Sequence, residues 1–191
     1  MTDWISSIDI QLLLFVNSHH SLLLDKIMWF SSEKWGWLPL YAFLIGAVIW
    51  KLKWRSLPFI LILALTITLT DQLSSHVIKP LVHRPRPTHI PQLIGQIRVL
   101  HNYVGGLYGF VSSHAANTFG ATFFFLFVLG ERLKWIPYLM FIWASVVSYS
   151  RIYLGVHFPT DVLGGIVVGL IVAAVTARIQ LLVEAKFYEK R

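Results

Sequence analysis

The sequence predicts an all-α protein that crosses a membrane as a bundle of about six helices. Hydrophobic residues make up 56% of the 191-residue chain, and charged residues only 13%. A soluble domain carries roughly 25% charged residues, so this chain has too few to cover a water-facing surface. Its mean hydropathy is +0.66, and apolar runs of the length that crosses a bilayer, about 20 residues, recur along it.

The first 32 residues contain two apolar runs, and each run is too short to cross a bilayer. Residues 8–16 and 22–30 are apolar, and the polar stretch 17–20 separates them. We therefore expect residues 1–32 to form either an amphipathic segment in the membrane interface or a short, tilted first helix of the bundle.

Five longer apolar segments follow, and each is expected to form a membrane-spanning helix. They lie at about residues 35–52, 57–77, 115–130, 135–153 and 160–183. Tryptophans near their ends, such as Trp50, Trp54 and Trp135, are typical of the headgroup region of a bilayer. Together with the N-terminal segment, these helices are expected to form one domain that covers residues 1–191.

Basic residues cluster at one end of the predicted helices. If the helices alternate in direction, the turns 51–55 and 132–134 and the tail 186–191 share one side of the membrane. The positive-inside rule makes that side cytoplasmic. We therefore expect a bacterial inner-membrane protein in which the loop 79–112 and the turn 151–160 face the periplasm.

The charge and cysteine content exclude several function classes. The net charge is +7, but the basic turns beside apolar segments account for it, so no nucleic-acid partner is expected. The chain has no cysteine, which rules out disulfides and thiol chemistry. Its N-terminus lacks the pattern of a removable signal peptide.

Three clusters of polar residues lie on the predicted periplasmic side. Lys79, Arg86 and Arg151 supply cations, which are costly at a membrane face unless they meet an anion. Arginine matches phosphate oxygens with its planar fork, and lysine supplies a compact charge. Ser112 and the backbone N–H groups around Ser113 stand where a helix begins, which is a favourable place for an anion.

The same clusters contain two histidines and an aspartate that suit phosphoryl transfer. A neutral imidazole acts as a nucleophile when a carboxylate orients its other ring nitrogen. Asp161 lies four residues after His157, and Pro159 between them favours the first turn of a helix. His114 is then available to protonate the departing oxygen, while the cations stabilise the charge of the transition state.

These clusters resemble the signature of the type 2 phosphatidic acid phosphatase superfamily. The family pattern is Lys-x6-Arg-Pro, then Pro-Ser-Gly-His, then Ser-Arg-x5-His-x3-Asp. The first and third parts match at every fixed position, and the second departs at Val111 and Ser113. The resemblance implies a phosphohistidine at His157, supported by Asp161, with His114 as general acid. It further implies phosphate ligands at Lys79, Arg86, Ser112, Ser113 and Arg151.

The resemblance also implies an activity without metal or cofactor, on a lipid phosphate held among membrane lipids. We expect hydrolysis of a lipid phosphate or diphosphate, with undecaprenyl diphosphate as the favoured substrate. Lipid A and phosphatidylglycerophosphate are alternative substrates, and a lipid phosphotransferase or a non-catalytic anion-binding membrane protein are alternative functions. Two charged residues lie outside the motifs: Arg84 is expected to face lipid headgroups, and Asp71 to pair with Lys79 or stay protonated.

Overall fold

The structure is a computed structural model that describes residues 3–188 of the chain. These residues form helices and connecting loops, and they contain no β-strand. The helices are α1 (Asp3–Ser18), α2 (Leu22–Ser32), α3 (Leu38–Leu52), α4 (Ser56–Gln72), α5 (Lys79–Val82), α6 (Ser113–Leu129), α7 (Trp135–Tyr153) and α8 (Pro159–Tyr188). Six of them have at least 15 residues, which confirms the predicted bundle. Lys190 and Arg191 of the predicted basic tail lie outside the described residues.

Two helical segments are long and apolar enough to cross a membrane. They are Trp35–Val82, which contains α3, α4 and α5, and Pro159–Lys186. Between α4 and α5 the helix widens into a π-helix over Leu73–Ile78. The helical stretch therefore runs beyond the predicted end at residue 77, and it ends at His83, which is in the left-handed conformation. This extension carries Lys79 to the end of the bundle.

The N-terminal region forms two helices, of which α1 supplies the predicted first helix. The sequence did not predict α2 as a separate helix. This helix begins after Ser21, and the Ser21 hydroxyl accepts a hydrogen bond from the Leu24 N–H at 3.2 Å. Both helices pack against α7. Asn17 lies in the last turn of α1, and its amide donates to the carbonyls of Tyr153 at 2.8 Å and Arg98 at 3.0 Å.

Helix α6 lies at the centre of the bundle, packed against α4, α7 and α8. Its contact with α8 is close because glycines face it. A Cβ atom added at Gly169 would lie 2.7 Å from the Ala116 carbonyl oxygen and 2.8 Å from the Gly120 nitrogen. Such small-residue contacts let helix backbones approach each other in membranes. They fix the start of α6 against the start of α8.

The three motifs meet at one end of the bundle. At this end the helical stretch of α4 and α5 finishes, α6 begins, α7 finishes and α8 begins. The tight turn from α7 to α8 depends on Gly155, which has a positive φ of 73°. The basic turns 51–55 and 132–134 lie at the other end, where α3 is joined to α4 and α6 to α7.

Candidate active site

His157 lies in the short turn between α7 and α8 and is almost fully buried, with 1% of its surface exposed. Its Nδ1 atom lies 3.4 Å from Oδ2 of Asp161, in the first turn of α8. Burial, and then the positive charges of Arg86 and Arg151, lower the pKa of His157 well below its usual value. The ring is therefore neutral at pH 7, and with Nδ1 at the carboxylate its Nε2 is the nitrogen left for chemistry.

The Asp161 carboxylate has a further partner that the sequence did not predict. Arg84 donates from Nη1 to Oδ1 of Asp161 at 2.6 Å and from Nη2 to Asp9 at 2.5 Å. The expectation that Arg84 faces lipid headgroups is therefore wrong, because its guanidinium group is held between two buried carboxylates. Asp9 could have been noticed as a charged residue inside an apolar run, where an unpaired carboxylate is costly.

Three cations approach the histidines from other elements. Lys79 donates to the Ser113 hydroxyl at 2.6 Å. Arg86 donates from Nε to the Tyr108 carbonyl at 3.2 Å. Arg151 donates from Nη2 to the Tyr103 hydroxyl at 2.9 Å, and from Nη1 to Ser32. None of these partners is charged.

Arg86 and Arg151 keep buried donors without a partner in the described part of the chain. Both side chains are buried, with 9% and 2% of their surface exposed, yet Nη1 of Arg86 and Nε of Arg151 have no hydrogen-bond acceptor. Burial, and then the charge of Arg151, lower the pKa of Arg86. Because buried donors are nearly always paired and the two cations repel each other, this site is suited to an anion.

A cavity of about 850 Å³ joins these groups to the interior of the bundle. One end is lined by most of the predicted site residues, namely Lys79, Arg86, Ser113, His114, Arg151 and His157. The other end is lined by apolar side chains of α3, α4, α6 and α7, among them Leu44, Ile45, Leu63, Phe125 and Met140. A polar group and a hydrocarbon chain of one molecule can therefore be bound together.

Ser112 and Asp161 lie behind the lining of this cavity. Ser112 is fully buried; its hydroxyl caps α6 by accepting from the Ala115 N–H at 3.4 Å, and its own N–H donates to the Asp161 carbonyl at 2.9 Å. These bonds connect the second motif to the third. A direct contact of Ser112 with phosphate stays a prediction.

Asp71 lies at the side of the cavity, where it accepts a hydrogen bond from the Asn117 amide at 3.1 Å. The expected ion pair with Lys79 does not form among the described residues, because the Lys79 ammonium group donates to Ser113 instead. Within the same part of the chain, no group of three or more histidines and carboxylates is arranged to hold a metal ion.

Comparisons with known proteins agree with this arrangement. The family model of the PAP2 superfamily matches residues 56–183. The chain is similar to a lipid A 4'-phosphatase of Bacteroides thetaiotaomicron, with 36% identity over 171 residues that cover 88% of this chain and 75% of the relative. It is also similar to a lipid A 4'-phosphatase of Porphyromonas gingivalis, with 33% identity over 188 residues that cover 97% of this chain and 78% of the relative.

One solved structure resembles the whole chain. It is the crystal structure of a transmembrane PAP2 type phosphatidylglycerolphosphate phosphatase from Bacillus subtilis. The TM-score is 0.68, with 24% sequence identity, and the match covers 100% of this chain and 90% of the other. At this identity the likeness concerns the fold, and it agrees with the helical bundle described above.

Proposed function

The chain belongs to the PAP2 superfamily as a membrane lipid phosphatase, and we propose that it removes a phosphate group from the sugar headgroup of a lipid A-type glycolipid. The observation that carries the chemistry is the neutral, buried His157 beside Asp161. It lies at the end of a cavity that is also lined by three cations, none of which has a carboxylate partner among the described residues. This arrangement supports a role of His157 as nucleophile and of the three cations as phosphate ligands.

The reaction proceeds in two steps. Nε2 of His157 attacks the phosphorus atom, a P–N bond forms, and the P–O bond to the lipid breaks while His114 gives a proton to the departing oxygen. Water then attacks the phosphohistidine, His114 takes a proton from it, and the P–N bond breaks to release inorganic phosphate. Asp161 stabilises the imidazolium charge in both steps.

The three cations bind the phosphoryl oxygens. Arg86 and Arg151 each have a buried donor that no described residue occupies, and Lys79 lines the same end of the cavity. Fixed donors around a phosphoryl group stabilise the charge that spreads over its oxygens in the transition state. The apolar end of the cavity then receives a hydrocarbon chain of the lipid.

A second, smaller cavity supports a sugar as the group that carries the phosphate. Its volume is about 210 Å³, and it adjoins His114 and Arg151. Three aromatic side chains line it, Trp29, Trp35 and Tyr103. Flat apolar rings next to polar groups suit a sugar ring, which has both apolar faces and hydroxyl groups. The likeness to two lipid A 4'-phosphatases points in the same direction.

Undecaprenyl diphosphate, the substrate favoured from the sequence, is the second candidate. Lys34 lines both cavities, and as a further cation it could bind a second phosphate group. With this substrate the apolar end of the large cavity would hold part of the polyprenyl chain, and the smaller cavity would stay without a sugar.

The proposed location is the bacterial inner membrane, with the site facing the periplasm. The basic turns 51–55 and 132–134 support this orientation, because they lie at the end of the bundle opposite His157, and basic turns favour the cytoplasm. A glycolipid in the outer leaflet would then reach the site from within the membrane.

A substrate panel tests this proposal. Purified protein in lipid vesicles is given 4'-phosphorylated lipid A, undecaprenyl diphosphate or phosphatidylglycerophosphate, each with labelled phosphate, and His157→Ala serves as the inactive control. We expect the highest kcat/KM for lipid A and release of free phosphate rather than its transfer to an added lipid alcohol. Trp35→Ala should lower kcat/KM for lipid A and leave that for undecaprenyl diphosphate unchanged. The opposite order of substrates would contradict the glycolipid assignment.

A further inference from the structure

We propose, on the basis of the function proposed above, that Arg84 and Asp9 are positioning residues that hold the Asp161 carboxylate against His157. Through this contact the N-terminal helix α1 takes part in setting the geometry of phosphoryl transfer. Neither residue is a fixed position of the three motifs, and the two lie 75 positions apart along the chain.

The two oxygens of Asp161 have different partners. Oδ1 accepts from Nη1 of Arg84 at 2.6 Å. Oδ2 faces Nδ1 of His157 at 3.4 Å and accepts from the Phe158 N–H at 3.0 Å. Because Arg84 occupies one oxygen, the carboxylate cannot turn without breaking an ion pair, and the other oxygen stays directed to the imidazole ring.

Asp9 completes the fixation of Arg84 and of the start of α8. It accepts from Nη2 of Arg84 at 2.5 Å, from the Thr160 N–H at 3.0 Å and from the Thr160 hydroxyl. The exposed fraction of the side chain is 1% for Asp9, 16% for Arg84 and 0% for Asp161. Charges buried to this degree are costly unless they are paired, so both carboxylates require the guanidinium group of Arg84.

The backbone of Arg84 is also fixed, and its side chain lies outside the substrate cavity. The Arg84 carbonyl accepts from the Gly109 N–H at 2.8 Å, and its guanidinium carbon lies 4.3 Å from the centre of the Phe158 ring. Arg84, Asp9 and Asp161 do not line the large cavity. Arg84 therefore acts on the reaction through Asp161, whereas Arg86, two residues further on, lines the cavity itself.

Steady-state kinetics of variants test the proposal. Arg84→Ala should lower kcat about 100-fold, the loss typical of a misplaced catalytic group, while KM changes less than twofold because Arg84 does not line the cavity. Arg84→Lys should restore part of kcat, since it keeps a cation beside Asp161. Asp9→Asn, which preserves the shape of the side chain, should lower kcat about tenfold with the same unchanged KM.

A second arginine–aspartate pair provides the matched control. Arg98 donates to Asp25 at 2.7 Å, away from Asp161. Arg98→Ala breaks this pair and should leave kcat unchanged. Thermal unfolding in detergent establishes that each variant is folded, and Asp9→Asn carries the test if Arg84→Ala does not fold.

The possible results separate the two proposals. Full activity of folded Arg84→Ala and Asp9→Asn, together with an inactive His157→Ala, overturns the positioning role alone. A loss that appears only in KM, or an equal loss of kcat in Arg98→Ala, overturns it as well. Full activity of His157→Ala overturns the proposed function and the positioning role with it.

Discussion

Two sets of charged side chains lie at the same end of the bundle and differ in their partners. The paired cluster consists of Asp9, Arg84 and Asp161, in which the guanidinium group binds both carboxylates. The open set consists of Lys79, Arg86 and Arg151. Among the described residues, no member of the open set forms a salt bridge.

This difference in partners gives the two sets different roles: the paired cluster orients a catalytic side chain, and the open set binds the phosphate group. In the paired cluster the charges satisfy one another, so their effect on the reaction is to fix the carboxylate behind His157. In the open set no described carboxylate neutralises the positive charge, and two buried donors have no acceptor in this part of the chain, so they are available to an anion. One loop serves both sets, because Arg84 and Arg86 are only two residues apart, yet Arg84 binds Asp161 and Arg86 lines the cavity.

Removing a member of the open set should have the largest effect. Arg86→Ala is expected to lower kcat/KM by about 10²- to 10³-fold, the loss typical of a missing donor to transition-state charge. Arg86→Lys should recover only part of it, because lysine keeps the charge but lacks the planar fork. Steady-state hydrolysis of the best substrate in the panel measures both. A loss below tenfold in Arg86→Ala would place Arg86 outside the phosphate site.

The second paired site, Asp25 with Arg98, should affect stability and not activity. The hydrogen bond from Arg98 lowers the pKa of Asp25 from 3.8 to about 2. A carboxyl group with a lowered pKa stabilises the fold fully above pH 3.8, and this contribution is lost as the pH falls through about 2. We expect Asp25→Asn to reduce the free energy of unfolding by about 1 to 2 kcal/mol at pH 6, allowing for solvent screening at Arg98.

Thermal unfolding in detergent between pH 6 and pH 2 measures this contribution. The difference in melting temperature between the native chain and Asp25→Asn should shrink at the acid end of that range. A constant difference across the range would mean that the Asp25 charge does not contribute to stability.

The smallest expected effect on the open set comes from Ser113, whose hydroxyl accepts the hydrogen bond of Lys79 at 2.6 Å. The family pattern has glycine at this position. Ser113→Gly should free the ammonium group for phosphate and lower KM about threefold, the size of one net hydrogen bond, with kcat unchanged. Ser113→Ala is the control for helix propensity. A higher KM in both variants would show instead that the hydroxyl itself helps to bind the substrate.

Much of the fold could be predicted from local features of the sequence. The apolar segments predicted the long helices because burial in lipid depends on the composition of each segment alone. The gathering of Lys79, Arg86, His114, Arg151 and His157 was predictable as well, since alternating helices bring every second loop to the same side.

The paired cluster could not be predicted in this way. Asp9 and Arg84 lie 75 residues apart, and neither belongs to a pattern that relates them. Their contact depends on how α1 packs against α7 and α8, which is a property of the whole fold. The same reason explains why α2 was missed as a separate helix, because its packing against α7 joins segments that are distant in the sequence.

Trapping the covalent intermediate tests the central claim most directly. The His114→Ala variant is mixed rapidly with p-nitrophenyl phosphate, whose leaving group departs without a proton, and the reaction is quenched in alkali. We expect phosphate to accumulate on the peptide that contains His157, because His114 is no longer available to activate water, and we expect none in His157→Ala. Phosphate on another residue, or release of p-nitrophenol with no phosphorylated protein, would contradict the assignment of His157 as the nucleophile.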